Sequence, residues 1–227
     1  MKLLRRLLYR VYIATLAPWV HRLFFTQLIR ETNNFGGLTW LGQPIWQNVL
    51  DLWTIQEALS EVRPALLVEC GTHQGGSALF YAHLFDLMGT KTKIVSVDIT
   101  RRTEVEHPRI EFLTGSSTAD DMVAQVAERV AAADGPVMVI LDSDHSEGHV
   151  RAELERYAGF VTPGSFLLVQ DGVIDTLGVF RAGRPGPLPA IRSFLASHPE
   201  FALDRGRCDR FLITHHPLGW MRRLPAP

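Results

Sequence analysis

The chain has 227 residues, a formal net charge of −1 and two cysteines. Its length suits a single α/β domain with a modest extension. The charge balance excludes a global field that would draw nucleic acid, and Cys70 and Cys208 exclude a disulfide framework, so a reduced, cytoplasmic setting is expected.

Residues 1–34 read as a basic amphipathic helical segment. Apolar residues alternate at helical spacing with Lys2, Arg5, Arg6 and Arg10. No apolar run reaches the roughly 18 to 20 residues that span a bilayer, and Pro18 and His21 follow too soon for a secretory leader. Two readings stay open: peripheral contact with an anionic membrane surface, or packing on the domain or a second subunit.

The domain is expected over residues 35–227. Asn33 to Gly37 is a turn signal, followed by an aromatic stretch in which Trp40 and Trp46, with the later Trp53, either line a cleft or seal a small core. Asp51 to Val62 predicts a helix. Leu66–Glu69 is a buried strand that runs into Cys70-Gly71-Thr72-His73-Gln74-Gly75-Gly76-Ser77, a glycine-rich turn and a helix start. Glycine allows positive φ and close approach of a ligand, and the helix start offers unpaired N–H groups. The nicotinamide G-x-G-x-x-G pattern is absent. An acid two residues before Gly71, with Gly75 four residues after it, resembles the first nucleotide-binding motif of Rossmann-type methyltransferases, which bind S-adenosylmethionine (SAM). Thr72 and His73 belong to that turn and join the candidate cofactor contacts.

The pattern then alternates as βα units, which implies a parallel sheet. The helix Ser77–Met88 leads to the strand Lys93–Asp98. An acid ending the second strand accepts hydrogen bonds from ribose hydroxyls, which makes Asp98 the candidate ribose ligand. Strand 109–113 follows, and Ser117 in the next loop is the candidate adenine contact. Helix 120–133, strand Val137–Leu141, helix 147–160 and strand 165–169 continue the series. The Gly- and Pro-rich run 182–189 reads as a loop, and residues 189–197 as a helix. Phe201–Asp204 and Arg210–Thr214 read as a closing antiparallel pair. The total is seven strands, mostly parallel.

Two adjacent strand ends present Asp142, Asp144, Gln170 and Asp171 at one edge of the sheet. Clustered oxygen donors suit a hard divalent cation such as Mg²⁺; without one, neighbouring carboxylates raise each other's pKa. His145 beside them is the candidate general base. His73, His149, His215 and His216 are weaker candidates that nothing in the sequence places near one another or near the acids.

Residues 39–48, Val68–Ser77 and Leu141–Ser146, joined by Pro163-Gly164-Ser165, Gln170-Asp171 and Arg210–Thr214, together resemble the cephalosporin hydroxylase family, which includes rhamnosyl O-methyltransferases. The resemblance covers about residues 35 to 223. It implies a Rossmann-like, SAM-dependent, frequently oligomeric enzyme with a Mg²⁺ site. Carried onto this chain, it surrounds the methionine part of SAM with Glu69, Gly71, Gly75 and Ser77, the ribose with Asp98 and the adenine with Ser117. It implies metal ligands at Asp144, Gln170 and Asp171, with Asp142 orienting the cofactor. The chain departs from the family at Gln170, where an acid is usual. The expectation is therefore an O-methyltransferase acting on a hydroxyl of a sugar, glycolipid or natural product, with Asp144 and His145 at the reacting centre. A hydroxylase of the same family and a non-catalytic cofactor-binding subunit are the rival readings.

Overall fold

The structure is a computed structural model, and it describes residues 2–33 and 36–225. The expected domain boundary at residues 34 and 35 lies outside the described residues. The elements are α1 (Lys2–Thr15), α2 (Ala17–Glu31), β1 (Thr39–Trp40), β2 (Gln43–Pro44), α3 (Val49–Val62), β3 (Leu66–Cys70), α4 (Gly76–Leu87), β4 (Lys93–Asp98), β5 (Ile110–Thr114), α5 (Asp120–Ala131), β6 (Val137–Leu141), α6 (Glu147–Tyr157), β7 (Phe166–Val169), α7 (Pro187–Ser197), β8 (Phe201–Leu203), α8 (Arg205–Cys208) and β9 (Trp220–Arg223).

Seven strands form one sheet in the order β5-β4-β3-β6-β7-β9-β8. Strands β3 to β7 are mutually parallel, and β9 runs antiparallel to both β7 and β8. The chain leaves β3 first towards β4 and later, from β5, returns to β6 on its other side, so the strand order reverses at β3. Open α/β sheets hold ligands at the carboxyl end of such a switch point. Side chains alternate across the sheet. Val68, Val139 and Leu167 face a core with Val126, Leu154 and Ile191 of α5, α6 and α7, while Leu67, Met138 and Leu168 face Ile55, Tyr81 and Phe85 of α3 and α4. Burial on both faces explains the continuous apolar runs of β3 and β6. Both cysteines are free and buried.

The sheet closes with a different strand from the one anticipated. Residues 210–214 are irregular, and the last strand is Trp220–Arg223. After β8 the Asp204 carboxylate accepts the Arg207 N–H (3.1 Å), capping the short helix α8 and turning the chain off the sheet. Arg210 pairs with Glu57 of α3 (3.0 Å), and Trp220 and Met221, fully buried, supply the apolar contacts of the final strand. The expected helix 147–160 ends at Tyr157 and continues as a 3₁₀ turn, Ala158–Phe160. The run 182–189 is divided between the 3₁₀ turn Gly178–Gly183 and the start of α7, where Pro187 suits a first helical turn.

The N-terminal segment is two helices. Every residue from Leu4 to Leu16 is exposed, so the described side chains of α1 are not buried against the sheet domain. Helix α2 is anchored: Phe25 packs with Val173, Leu177 and Ile213, and the Arg22 guanidinium donates to the Thr176 carbonyl (2.6 Å). No helix among the described residues is long and apolar enough to cross a membrane.

Candidate active site

The glycine turn is dictated by how closely β3 and β6 end together. Asp142 N–H donates to the Cys70 carbonyl (2.7 Å), and Gly71 N–H to the Val97 carbonyl (2.8 Å). Gly71 has φ +104°, and a Cβ there would lie 1.9 Å from the Asp142 carbonyl oxygen. No side chain fits. Gly75, at φ +79°, is the residue before α4, whose first turn holds the buried Ser77. Beneath the turn Glu69 is fully buried. Its Oε2 accepts the Ser96 hydroxyl (2.5 Å), and Oε1 has no hydrogen-bond partner. Burial pushes the Glu69 carboxyl up to about 7; the Ser77 and Ser96 hydroxyls oppose the rise and the Asp98 charge adds to it. The Thr72 hydroxyl continues the chain to Ser96 (2.6 Å).

His73 adopts φ +46° and donates its backbone N–H to Asp98 Oδ2 (2.8 Å), while Thr100 N–H reaches Oδ1 (3.1 Å). Two backbone donors thus fix the carboxylate and leave lone pairs for a ligand. Ser117 is buried: its hydroxyl donates to Glu153 Oε1 (2.5 Å), which also accepts from Ser143 (2.6 Å). His149 lies 3.3 Å from the same carboxylate oxygen, and its hydrogen bond to Glu153 raises the imidazole pKa.

At the other side of the turn the acids meet. Ligand atoms of Asp142, His145 and Asp171 all lie within 4.8 Å of one another. His145 Nε2 is 3.1 Å from Asp171 Oδ2, and Gln47 donates to Asp142 Oδ2 (2.8 Å). The Asp142 carboxyl is pushed well up, first by the protein packed around it and then by the Asp171 and Glu69 charges. For Asp171 burial acts the same way but is outweighed by the His215 hydrogen bond and the imidazoles of His145, His215 and His216, so its carboxyl is held low. The two neighbouring carboxyls are thus driven in opposite directions, Asp171 towards the anion and Asp142 towards the neutral acid.

Asp144, the ligand implied by the family register, stands outside this group. Its Oδ1 accepts the Ser146 N–H (2.8 Å), which commits the carboxylate to the turn before α6 and holds its pKa down. Among the described residues it is Asp142, not Asp144, that shares this group with His145 and Asp171, although Asp144 also lines the cavity. Gln170 is fully buried beside the Tyr81 hydroxyl and is not among the residues lining the cavity.

The sequence left His215 and His216 apart from the acids, and the structure places both against Asp171. His215 Nδ1 is 3.5 Å from Asp171 Oδ1, and Asp171 N–H donates to His216 Nδ1 (3.3 Å). Burial lowers the His216 pKa, consistent with a neutral ring accepting at Nδ1. The pair is tied to α3 by Asp51, whose carboxylate accepts His215 N–H (2.8 Å) and the Thr214 hydroxyl (2.5 Å). The available signal was the His-His doublet itself, hidden by assigning the closing strand to residues 210–214.

These groups surround one cavity of about 560 Å³ at the carboxyl edge. Of the residues chosen from sequence, Gly71, Thr72, His73, Ser77, Asp98, Ser117, Asp142, Asp144, His145 and Asp171 line it. Glu69 and Gly75 lie behind the turn. Gln47 and Ile99 line it without having been singled out, and so does His149, a weaker candidate from the sequence. Trp46 also lines it and packs on His73 (ring centroids 4.8 Å), whereas Trp40 packs edge-on against Phe80 and Trp53 is exposed outside it.

Comparison with known proteins identifies the family. A family model described as Rhamnosyl O-methyltransferase/CmcI matches residues 33–224. Rhamnosyl O-methyltransferase of Mycobacterium tuberculosis is 32% identical over 199 residues, covering 83% of this chain and 81% of that protein. The protein of the same name from Mycobacterium leprae is 30% identical over 213 residues, covering 92% and 91%. Among solved structures, CmcI with Mg and SAM superposes with a TM-score of 0.67 at 17% identity, covering 85% of this chain and 78% of that one, which supports the fold. The chain belongs to the Rhamnosyl O-methyltransferase/CmcI family of SAM-dependent O-methyltransferases.

Proposed function

We propose that the protein methylates a hydroxyl of a sugar, glycolipid or related natural product, using SAM and a Mg²⁺ ion in this cavity. The observation that carries the reading is the meeting of the Gly71–Ser77 turn, Asp98 and the Asp142–His145–Asp171 group around one space. The family's rhamnosyl relatives support a sugar acceptor.

The residues fit both groups. The cavity lies within the roughly 300–1,000 Å³ of small-molecule sites, and Glu69 Oε1, without a hydrogen-bond partner, is a buried acceptor behind the turn. Paired carboxylates that repel each other suit a hard cation. When bound, SAM supplies an electrophilic methyl group and Mg²⁺ lowers the pKa of a coordinated hydroxyl.

The chain's own residues then have distinct tasks. Asp98, held by two backbone N–H groups, accepts from ribose hydroxyls. Ile99 and Ser117 flank the adenine side. Asp142 and Asp171 offer the oxygen donors for the cation. His145 is the proton acceptor, because a hard cation prefers oxygen to imidazole nitrogen and Asp171 orients the ring through Nε2. Asp144 holds the turn that carries His145. Asp51, His215 and His216 position Asp171 from behind. Such an arrangement accelerates the reaction mainly by holding acceptor oxygen and methyl carbon in line.

The test is calorimetric titration with S-adenosylhomocysteine, with and without Mg²⁺, followed by methyl transfer to a panel of rhamnosides and glycolipids. Cofactor binding with Mg²⁺-dependent transfer is the expected result. Absence of binding in both conditions refutes the reading.

A further inference from the structure

We infer that α1 and the outer face of α2 form a docking surface for an anionic lipid bilayer. The chain's charge is unevenly divided. The first 30 residues hold six of its 23 Lys and Arg and none of its 24 Asp and Glu, which leaves 17 basic against 24 acidic residues in the remainder. Apolar exposure is concentrated in the same place. Twelve of the twenty exposed large hydrophobics of the described residues fall between Leu4 and Phe24.

On α1, Leu4, Leu8 and Val11 follow helical spacing along one side, with Arg5 at its rim and Arg6 and Arg10 beyond it. On α2, Trp19 and Leu23 form an outward stripe at i and i+4, both more than 60% exposed. The opposite side of α2 is already occupied: Phe25 packs on Val173 and against the His215 ring (5.1 Å). An apolar face rimmed by cations, on helices far too short and charged to span, matches a surface-lying helix pair. The four cations of α1, with no acid among them, also disfavour one α1 packing on another, and the six of both helices complement the negative surface of an anionic leaflet. Because Phe25 sits beside the turn that follows Asp171, docking would hold the carboxyl edge of the sheet near the bilayer. The inference rests on the helices alone and is independent of the reaction proposed above.

The experiment is co-sedimentation of the full chain with phosphatidylcholine vesicles and with vesicles enriched in phosphatidylglycerol. The expected result is binding to the anionic vesicles that falls as salt rises, with at least tenfold weaker partition for the triple variant Arg5→Gln, Arg6→Gln, Arg10→Gln. Trp19→Ser with Leu23→Ser should weaken binding comparably. Both variants should keep wild-type affinity for S-adenosylhomocysteine, which shows that the domain is folded. Equal binding to neutral vesicles, or none to either, overturns the inference. So does loss of self-association in the Trp19 and Leu23 variant without vesicle binding by the wild type, which would assign the face to a second copy of the chain.

Discussion

Glu69→Gln separates the electrostatics of the turn from its packing. In the ligand-free protein Glu69 has a pKa of about 7 against an ordinary 4.5. Between those values the folded chain holds a proton that the unfolded chain has released, so stability falls as pH rises through the window. At about 1.36 kcal/mol per unit, the full loss is roughly 3 to 3.5 kcal/mol and is complete above about pH 7. Glutamine keeps the shape and an acceptor for the Ser96 hydroxyl but has no proton to lose. The variant should therefore match the wild type within ~1 kcal/mol near pH 5 and exceed it by up to ~3 kcal/mol near pH 8. Urea unfolding of the ligand-free proteins across that range reads the difference directly. Affinity for SAM should move the other way, because the sulfonium and ammonium charges lose a nearby anion, a loss of about tenfold or more. Stability curves that stay parallel from acid to alkaline pH would show that Glu69 is ionised in the folded protein and would refute the burial argument.

Three further outcomes follow from the same site. Asp171→Ala should abolish Mg²⁺-dependent turnover and leave S-adenosylhomocysteine affinity within about twofold, whereas Asp98→Ala should weaken that affinity by roughly ten- to a hundredfold; equal losses measured by calorimetry would show that the two sites are wrongly separated. Mg²⁺ affinity should climb about tenfold per pH unit below the raised Asp142 pKa, since the cation must displace that proton, and titrations in buffers of different ionisation enthalpy should detect its release in the wild type but not in Asp142→Asn. Gly71→Ala forces a Cβ onto the Asp142 carbonyl at a positive φ and should cost about 3 kcal/mol or more, visible as a large fall in Tm.

The parallel sheet and the glycine turn were legible because their signals are local. Leu66–Cys70 and Val137–Leu141 are buried on both faces and so carry unbroken apolar runs, and a turn squeezed between two strand ends can only be glycine. The acids were legible as a cluster but not as individuals. Asp142 and Asp144 are two residues apart in an irregular turn, where side-chain direction depends on φ and ψ and not on strand alternation; the Ser146 N–H decides it by capturing Asp144. The imidazoles behind Asp171 were illegible for a non-local reason. Their position depends on which segment closes the sheet, and the β-branched and aromatic run 210–214 looks more strand-like than Trp220–Arg223, which wins through the burial of Trp220 and Met221.

The resemblance drawn from the sequence implies an acid where this chain has Gln170, and the geometry is compatible with the amide in the proposed site. Asp171 takes φ +55° two residues after β7, so it turns towards Asp142 and His145 while Gln170 stays buried beside Tyr81. A third carboxylate at Gln170 would add a negative charge beside Tyr81, which already feels the Glu69 and Asp142 charges. With the amide there, the proposed metal site keeps two carboxylates, whose combined charge balances a divalent cation. A neutral metal complex binds its cation more weakly than a three-carboxylate site would, but it leaves no excess anion to oppose ionisation of the acceptor hydroxyl. Gln170→Glu should accordingly tighten Mg²⁺ binding in calorimetry without a matching gain in turnover. A parallel gain in both would show that the amide is a defect of the site and not part of its charge balance.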